Sequence, residues 1–266
     1  MLKVHPLYSS SSGNMFHIEN KDTNILLDVG VTYKAINEGL NSINKDLSNI
    51  DAIVITHEHV DHIKGLYTLC KKNDIPIYTT EKTAIYLKDK LNEKNIDCDI
   101  QIIDYNKPFN INSIELRAFE TSHDAVMPCG YNIKSENSKL SFATDLGYMT
   151  DYVYENLKDS NFVILESNYD DILLDYGKYP FNLKRRIKGS FGHLSNTDAA
   201  ETISKLANNG QTNFLLAHLS QNNNNEYIAK DTILTNLTKN DIDINNINLN
   251  IATKTLSNEE YIIWLI

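Results

Sequence analysis

One stretch limits what this chain can fold into more than any other. It is Thr56-His57-Glu58-His59-Val60-Asp61-His62, placed directly after the apolar run Asp51-Ala52-Ile53-Val54-Ile55. The run is short, β-branched and bounded by polar residues, so it reads as a buried strand with the histidines in the loop at its C-terminal end. Three imidazoles and two carboxylates, Glu58 and Asp61, fall within six residues. Imidazole nitrogen together with carboxylate oxygen suits zinc, manganese or iron, and points to catalysis rather than to a purely structural ion. In an extended loop His57 and His59 face the same way while Asp61 and His62 open the next turn. One motif can therefore seed two metal sites.

The pattern of His57, His59, Asp61 and His62 resembles the signature of the metallo-β-lactamase superfamily. Further signature positions follow, each closing an apolar run: Asp28 in NILLDVG, His123 in IELRAFETSH, Asp145 in KLSFATD and His218 in TNFLLAH. The resemblance implies an α+β fold, a four-layer αββα sandwich, as a single domain over residues 1–266. It also implies that His57, His59 and His123 hold one ion and Asp61, His62 and His218 the other. Asp145 would bridge them, because bridging needs a carboxylate while imidazole has one lone pair to give. Two divalent ions about 3.5 to 4 Å apart, zinc by default with manganese also suited, acidify a bridging water and clamp the attacking and leaving oxygens. Asp61 and His193 are expected to take a direct part in that chemistry. Asp28 is expected behind the ligands, holding a histidine's free ring N–H rather than metal, and Glu166, at the end of a buried strand, is a further candidate behind them.

Two other stretches narrow the likeness to the YycJ/WalJ branch of the superfamily. The first, SSSSGN at residues 9–14, reads as a turn whose amides and hydroxyls can line a phosphate pocket, which makes Ser11, Ser12 and Asn14 candidate substrate contacts. The second, FVILESNYDDILLDYGKYPFNLKRRIKGSFGHLSN, carries Lys184-Arg185-Arg186 beside Tyr176, Tyr179 and Phe181. The bland reading of such a cluster is a solvated helix face; beside a metal site in an acidic chain, phosphate contact by arginine is the better one. His193 precedes a helix starting near Asn196, with Ser195 between them. It resembles the additional histidine that RNase Z and related phosphodiesterases place beside the substrate phosphate, and Ser195 is taken as a further substrate contact.

Charge and cysteine content bound the alternatives. A formal net charge of -10 gives no global footprint for nucleic acid, so any polyanion has to be bound locally. Three cysteines without metal or redox spacing suit reduced thiols, and Cys129 reads as a small buried residue. The first residues show no signal-peptide pattern and no stretch has the length of a membrane helix, so a cytoplasmic protein without a membrane partner is expected. Flavodiiron relatives carry glutamate where His59 stands. With 47 residues between Asp145 and His193, there is no room for the inserted domain of the β-CASP nucleases. What remains is a phosphodiesterase, and the resemblance to the YycJ/WalJ branch implies an exonuclease with DNA as the favoured partner, acting from the 5′ end. A small-molecule phosphodiesterase is the rival, and a metal-binding module without turnover the non-enzymatic alternative.

Along the chain the patterns predict strands near 2–8, 75–78, 100–104, 112–119, 129–134, 139–144, 247–252 and 260–266. Helices are expected near 64–72, 81–91 and 226–238, and Trp264 is expected in the core.

Overall fold

The computed structural model describes residues 1–264, and its strands form two seven-stranded sheets. The first sheet takes up β1 (Leu2–Ser10), β2 (Gly13–Glu19), β3 (Asn24–Leu27), β4 (Ala52–Val54), β5 (Ile77–Thr80) and β6 (Ile100–Ile103). The second is built from β7 (Pro108–Ile111), β8 (Ile114–Glu120), β9 (Cys129–Ser135), β10 (Ser138–Ala143), β11 (Phe162–Glu166), β12 (Asn213–Ala217) and β13 (Asn248–Ile251). The chain then returns as β14 (Tyr261–Ile263), which pairs with β1 at the edge of the first sheet. Strands β3 to β6 are parallel, as are β10 to β13.

Period-two alternation sorts these strands into layers. From β4, Ala52 and Val54 face the other sheet, where Phe16 meets Phe142 edge-on at 5.0 Å, while Ile53 faces outward. From β12, Leu215 and Ala217 face inward and Phe214 and Leu216 outward. Because both faces are covered, these strands are continuous apolar runs instead of alternating ones. Over the first sheet lie α1 (Tyr33–Ser42), α3 (Leu66–Lys72) and α4 (Glu81–Asn92), through Ile36, Leu69 and Leu87 among others; the short α2 (Val60–Ile63) precedes α3. Over the second lie α5 (Asp151–Leu157), α8 (Asn196–Asn208) and α9 (Glu226–Lys239), through Leu157, Ile203 and Ile233. Between α5 and α8 come α6 (Asp171–Tyr176) and α7 (Phe181–Ile187), joined by a small cluster of Tyr169, Leu174 and Ile187. The result is the four-layer αββα sandwich.

Some local expectations shift. β1 runs on through Ser9 and Ser10, leaving only Ser11 and Ser12 as the hairpin turn. The segment expected as one strand over 112–119 is the second arm of a hairpin, turned at Asn112 with φ of 46°. Trp264 is 65% exposed, because β14 is an edge strand and leaves it beyond the sheet interface. Residues 265 and 266 of the last expected strand lie outside the described residues. Among the described residues no helix is long and apolar enough to cross a membrane.

Candidate metal and catalytic site

Parallel strands bring their C-terminal ends to one edge, and the candidate residues collect there. Asp28 follows β3, the histidine motif follows β4, Asp145 follows β10, Glu166 closes β11 and His218 follows β12. Asp28, Asp145 and His218 each take left-handed backbone, with φ of 58°, 58° and 57°. Aspartate and histidine tolerate that region better than most residues, yet it costs about 1 kcal/mol or more apiece. Turning the chain sharply at the strand end is what brings all three side chains to the same edge.

In the first sheet the side chains expected as ligands are held from behind. The buried Asp28 carboxylate accepts from Thr56 N at 2.9 Å, from Thr56 Oγ1 at 2.9 Å and from His62 Nδ1 at 2.7 Å. With its hydroxyl proton given to Asp28, Thr56 Oγ1 accepts from His57 Nδ1 at 3.0 Å. Both rings are thereby fixed with the proton on Nδ1 and the lone pair on Nε2. Gly30 allows α2 to sit this close, since a Cβ there would lie 1.6 Å from Asp61 O.

In the second sheet one carboxylate holds two rings. Glu166 Oε1 accepts from His218 Nδ1 at 2.7 Å and from His193 Nδ1 at 2.9 Å; Oε2 accepts from the backbone N–H of Leu146 at 2.8 Å and of Leu194 at 3.0 Å. Burial works to raise the Glu166 pKa, but the charges and hydrogen bonds of His193 and His218 outweigh it and hold the carboxyl below its usual range. His123 is fixed by donating from Nδ1 to Gly192 O at 2.9 Å.

Two trios result. In one, His59 Nδ1 stands 3.2 Å from His123 Nε2 and the His57 ring centroid lies 4.7 and 5.1 Å from theirs. Tetrahedral zinc with Zn–N of about 2.0–2.1 Å sets its nitrogens about 3.3 Å apart, so this spacing fits. In the other, Asp61 Oδ2 lies 3.4 Å from His218 Nε2 and 3.6 Å from His62 Nε2. Asp145 lies between them, with Oδ2 3.3 Å from His62 Nε2 and Oδ1 3.6 Å from His123 Nε2. His57 Nε2 and Asp145 Oδ2 are buried without a hydrogen-bond partner. Two orphaned buried ligand atoms in such a cluster are costly unless a cation satisfies them. Burial opposes a charge on His62, yet Asp145, Asp28 and Asp61 push its pKa up to about 9, so the local field favours positive charge. The donor set therefore fits two divalent ions.

The trios open on a cavity of about 210 Å³ lined by Ser11, Asn168, Tyr179, Arg186, His193 and Ser220 among others. Of the expected substrate contacts, Ser11 and Arg186 reach it. Ser12 is exposed at the hairpin turn and binds Gln221 at 2.6 Å. Asn14 is only 2% exposed and sits within 3.3 Å of Asp61 O and His62 Nε2, bracing the motif from below. Lys184 and Arg185 do not line the cavity: Lys184 Nζ donates to Asp175 O at 2.8 Å, and Arg185 is exposed. Ser195, 3% exposed, caps α8 by accepting from Asp198 N at 3.0 Å and donating to its carboxylate, so its hydroxyl is committed. Cys129 is buried with its thiol on Thr56 O, and burial pushes that thiol's pKa up. Sequence reasoning passed over Thr56 and Asp124. Thr56 stood in plain view at the head of the motif. Asp124 pairs with Arg186, 62 positions away, which no local pattern signals.

Comparison with known proteins places this geometry. A family model described as a β-lactamase superfamily domain matches residues 23–219. The chain is 35% identical over 228 residues to exodeoxyribonuclease YycJ of Bacillus anthracis, covering 85% of this chain and 86% of that one. It is 34% identical over 243 residues to exodeoxyribonuclease WalJ of Streptococcus pneumoniae serotype 2, covering 91% and 90%. Among solved structures, the metallo-β-lactamase fold protein YhfI of Bacillus subtilis superposes with a TM-score of 0.73 at 17% identity, covering 98% of both chains, a likeness of fold.

Proposed function

The chain belongs to the metallo-β-lactamase superfamily, and from that premise we propose that it is a metal-dependent phosphodiesterase that removes nucleotides from the 5′ end of DNA. The observation that carries this reading is His193. It stands outside both trios, is held at Nδ1 by Glu166 at 2.9 Å, and lines the same cavity as Asp61, Asp145 and Arg186. Hydrolysis of a lactam or thioester has no evident use for it. A phosphodiester does, because its nonbridging oxygens carry charge and its leaving oxygen has to be protonated.

The two trios would hold divalent ions, zinc or manganese, which would supply an acidified water and neutralise phosphoryl charge. The protein's own groups do the rest. Asp28, Thr56 and Glu166 present the ring nitrogens in one tautomer. Asp61 completes the second trio and lines the cavity floor. With Nδ1 engaged by Glu166, His193 offers Nε2 to a phosphoryl oxygen or to the leaving oxygen. Arg186 takes a nonbridging oxygen, and Tyr179 flanks the sugar. A cavity of about 210 Å³ suits a strand terminus better than an unbroken duplex, which supports exonucleolytic action. The exodeoxyribonuclease names of the two relatives support the same reading.

The acidic charge of -10 and the small cavity favour a second reading, in which the substrate is a small phosphodiester. Metal-quantified protein incubated with 5′-labelled duplex DNA, and separately with a small chromogenic diester, distinguishes the two. Release of the labelled 5′ mononucleotide, absent in Asp145→Ala, is the expected result, whereas stepwise shortening of strands that keep their label would reverse the direction. Turnover of the small diester alone would replace DNA with a small substrate.

A further inference from the structure

The geometry points to Asp124 as a positioning residue that aims Arg186 at the substrate phosphate; this rests on the phosphodiesterase reading above. Asp124 follows His123 in the loop after β8, and three contacts lock that loop to α7 and the segment that follows it. His123 Nδ1 donates to Gly192 O at 2.9 Å, Asp124 N donates to Phe191 O at 3.0 Å, and the Asp124 carboxylate accepts from Arg186 Nε at 2.5 Å and Nη2 at 2.9 Å.

The pair is partly exposed, with 33% of the Asp124 and 52% of the Arg186 side chain accessible. Exposed ion pairs add little to stability, so stability does not account for this one. Its bidentate form does something else: it fixes the plane and direction of the guanidinium. Arginine has five N–H donors, and Asp124 occupies two. The other three have no partner among the described residues, on a side chain that lines the cavity together with His193 and Asp145. A fixed fork with free donors beside those groups is built to take a phosphoryl oxygen. The same contact explains why the basic cluster divides: Arg186 is drawn to the cavity by Asp124, whereas Lys184 is turned back to the end of α6.

Asp124 also lies near the first trio, with Oδ1 3.6 Å from His123 Nε2 and 3.9 Å from His59 Nε2. A role as a metal ligand is the competing account, and the experiment has to separate them. The affinity of the metal-loaded protein for a phosphorothioate oligonucleotide is measured over a range of salt for Asp124→Asn, Arg186→Ala and the double variant, with metal content alongside. Each single variant is expected to retain its metal and bind about tenfold more weakly, as for loss of a charge-assisted hydrogen bond. The slope of log affinity against log salt is expected to flatten by about one phosphate contact in both. The double variant should bind no more weakly than Arg186→Ala, because Asp124 acts through Arg186. A merely structural Asp124 would give additive losses and an unchanged slope, and either result overturns the inference. Loss of metal in Asp124→Asn overturns it in favour of ligation. Wild-type protein that binds no oligonucleotide would remove the nucleic-acid reading and this inference with it.

Discussion

Asp28 at the end of β3 and Glu166 at the end of β11 are both fully buried behind the site, one in each sheet, and they are wired differently. Asp28 serves His62 directly and His57 through Thr56, so everything it organises belongs to the expected ligands. Glu166 divides one oxygen between His218, an expected ligand, and His193, which belongs to neither trio. The first sheet thus builds a place for metal. The second ties that place to a ring that lines the cavity. The contrast teaches that two buried carboxylates in equivalent places need not fail in the same way.

Glu166→Gln should give the largest effect. The amide keeps the shape but cannot accept from two rings and two backbone amides with one oxygen and one NH₂ group. Loss of order in both His218 and His193 is expected to cut turnover by well over a hundredfold, and excess metal should not restore it. Restoration by metal alone would mean that Glu166 matters only to the ligand, and the contrast would collapse. His193→Ala comes next, with a rate about a hundredfold lower and the metal content of wild type. Loss of metal there would move His193 among the ligands. Asp28→Asn is expected to weaken metal binding by about ten- to a hundredfold, with turnover recovering as metal is added. Metal titration followed by steady-state rates separates all three.

How much of this was legible beforehand depended on how local the cause was. The first-sheet motif and the positions of Asp28, His123, Asp145 and His218 could be read because each ends a run whose apolar residues must be buried, and a run ends at one place. Glu166 could be found the same way, but not its two partners, which lie 27 and 52 positions further on. The basic cluster misled for a related reason. Three consecutive charges on a helix point in three directions, and only packing decides which one meets the cavity. Ser195 reads from the sequence as a substrate contact, yet a serine in that place before a helix has a nearer use.

That use supplies the smallest expected effect and a check on the comparison from outside it. Ser195 caps α8 from the same segment that carries His193, so it tests whether mere closeness to the second-sheet machinery is enough to affect catalysis. Ser195→Ala should cost the helix about 1 kcal/mol, as loss of an N-cap usually does, and lower the melting temperature by about 2 to 4 °C. Oligonucleotide affinity and metal content should stay at wild-type values, because the hydroxyl is spent on Asp198 and is sealed from the cavity. A loss of affinity without a loss of stability would return Ser195 to the substrate contacts. It would also mean that α8 moves toward the substrate when the strand end enters.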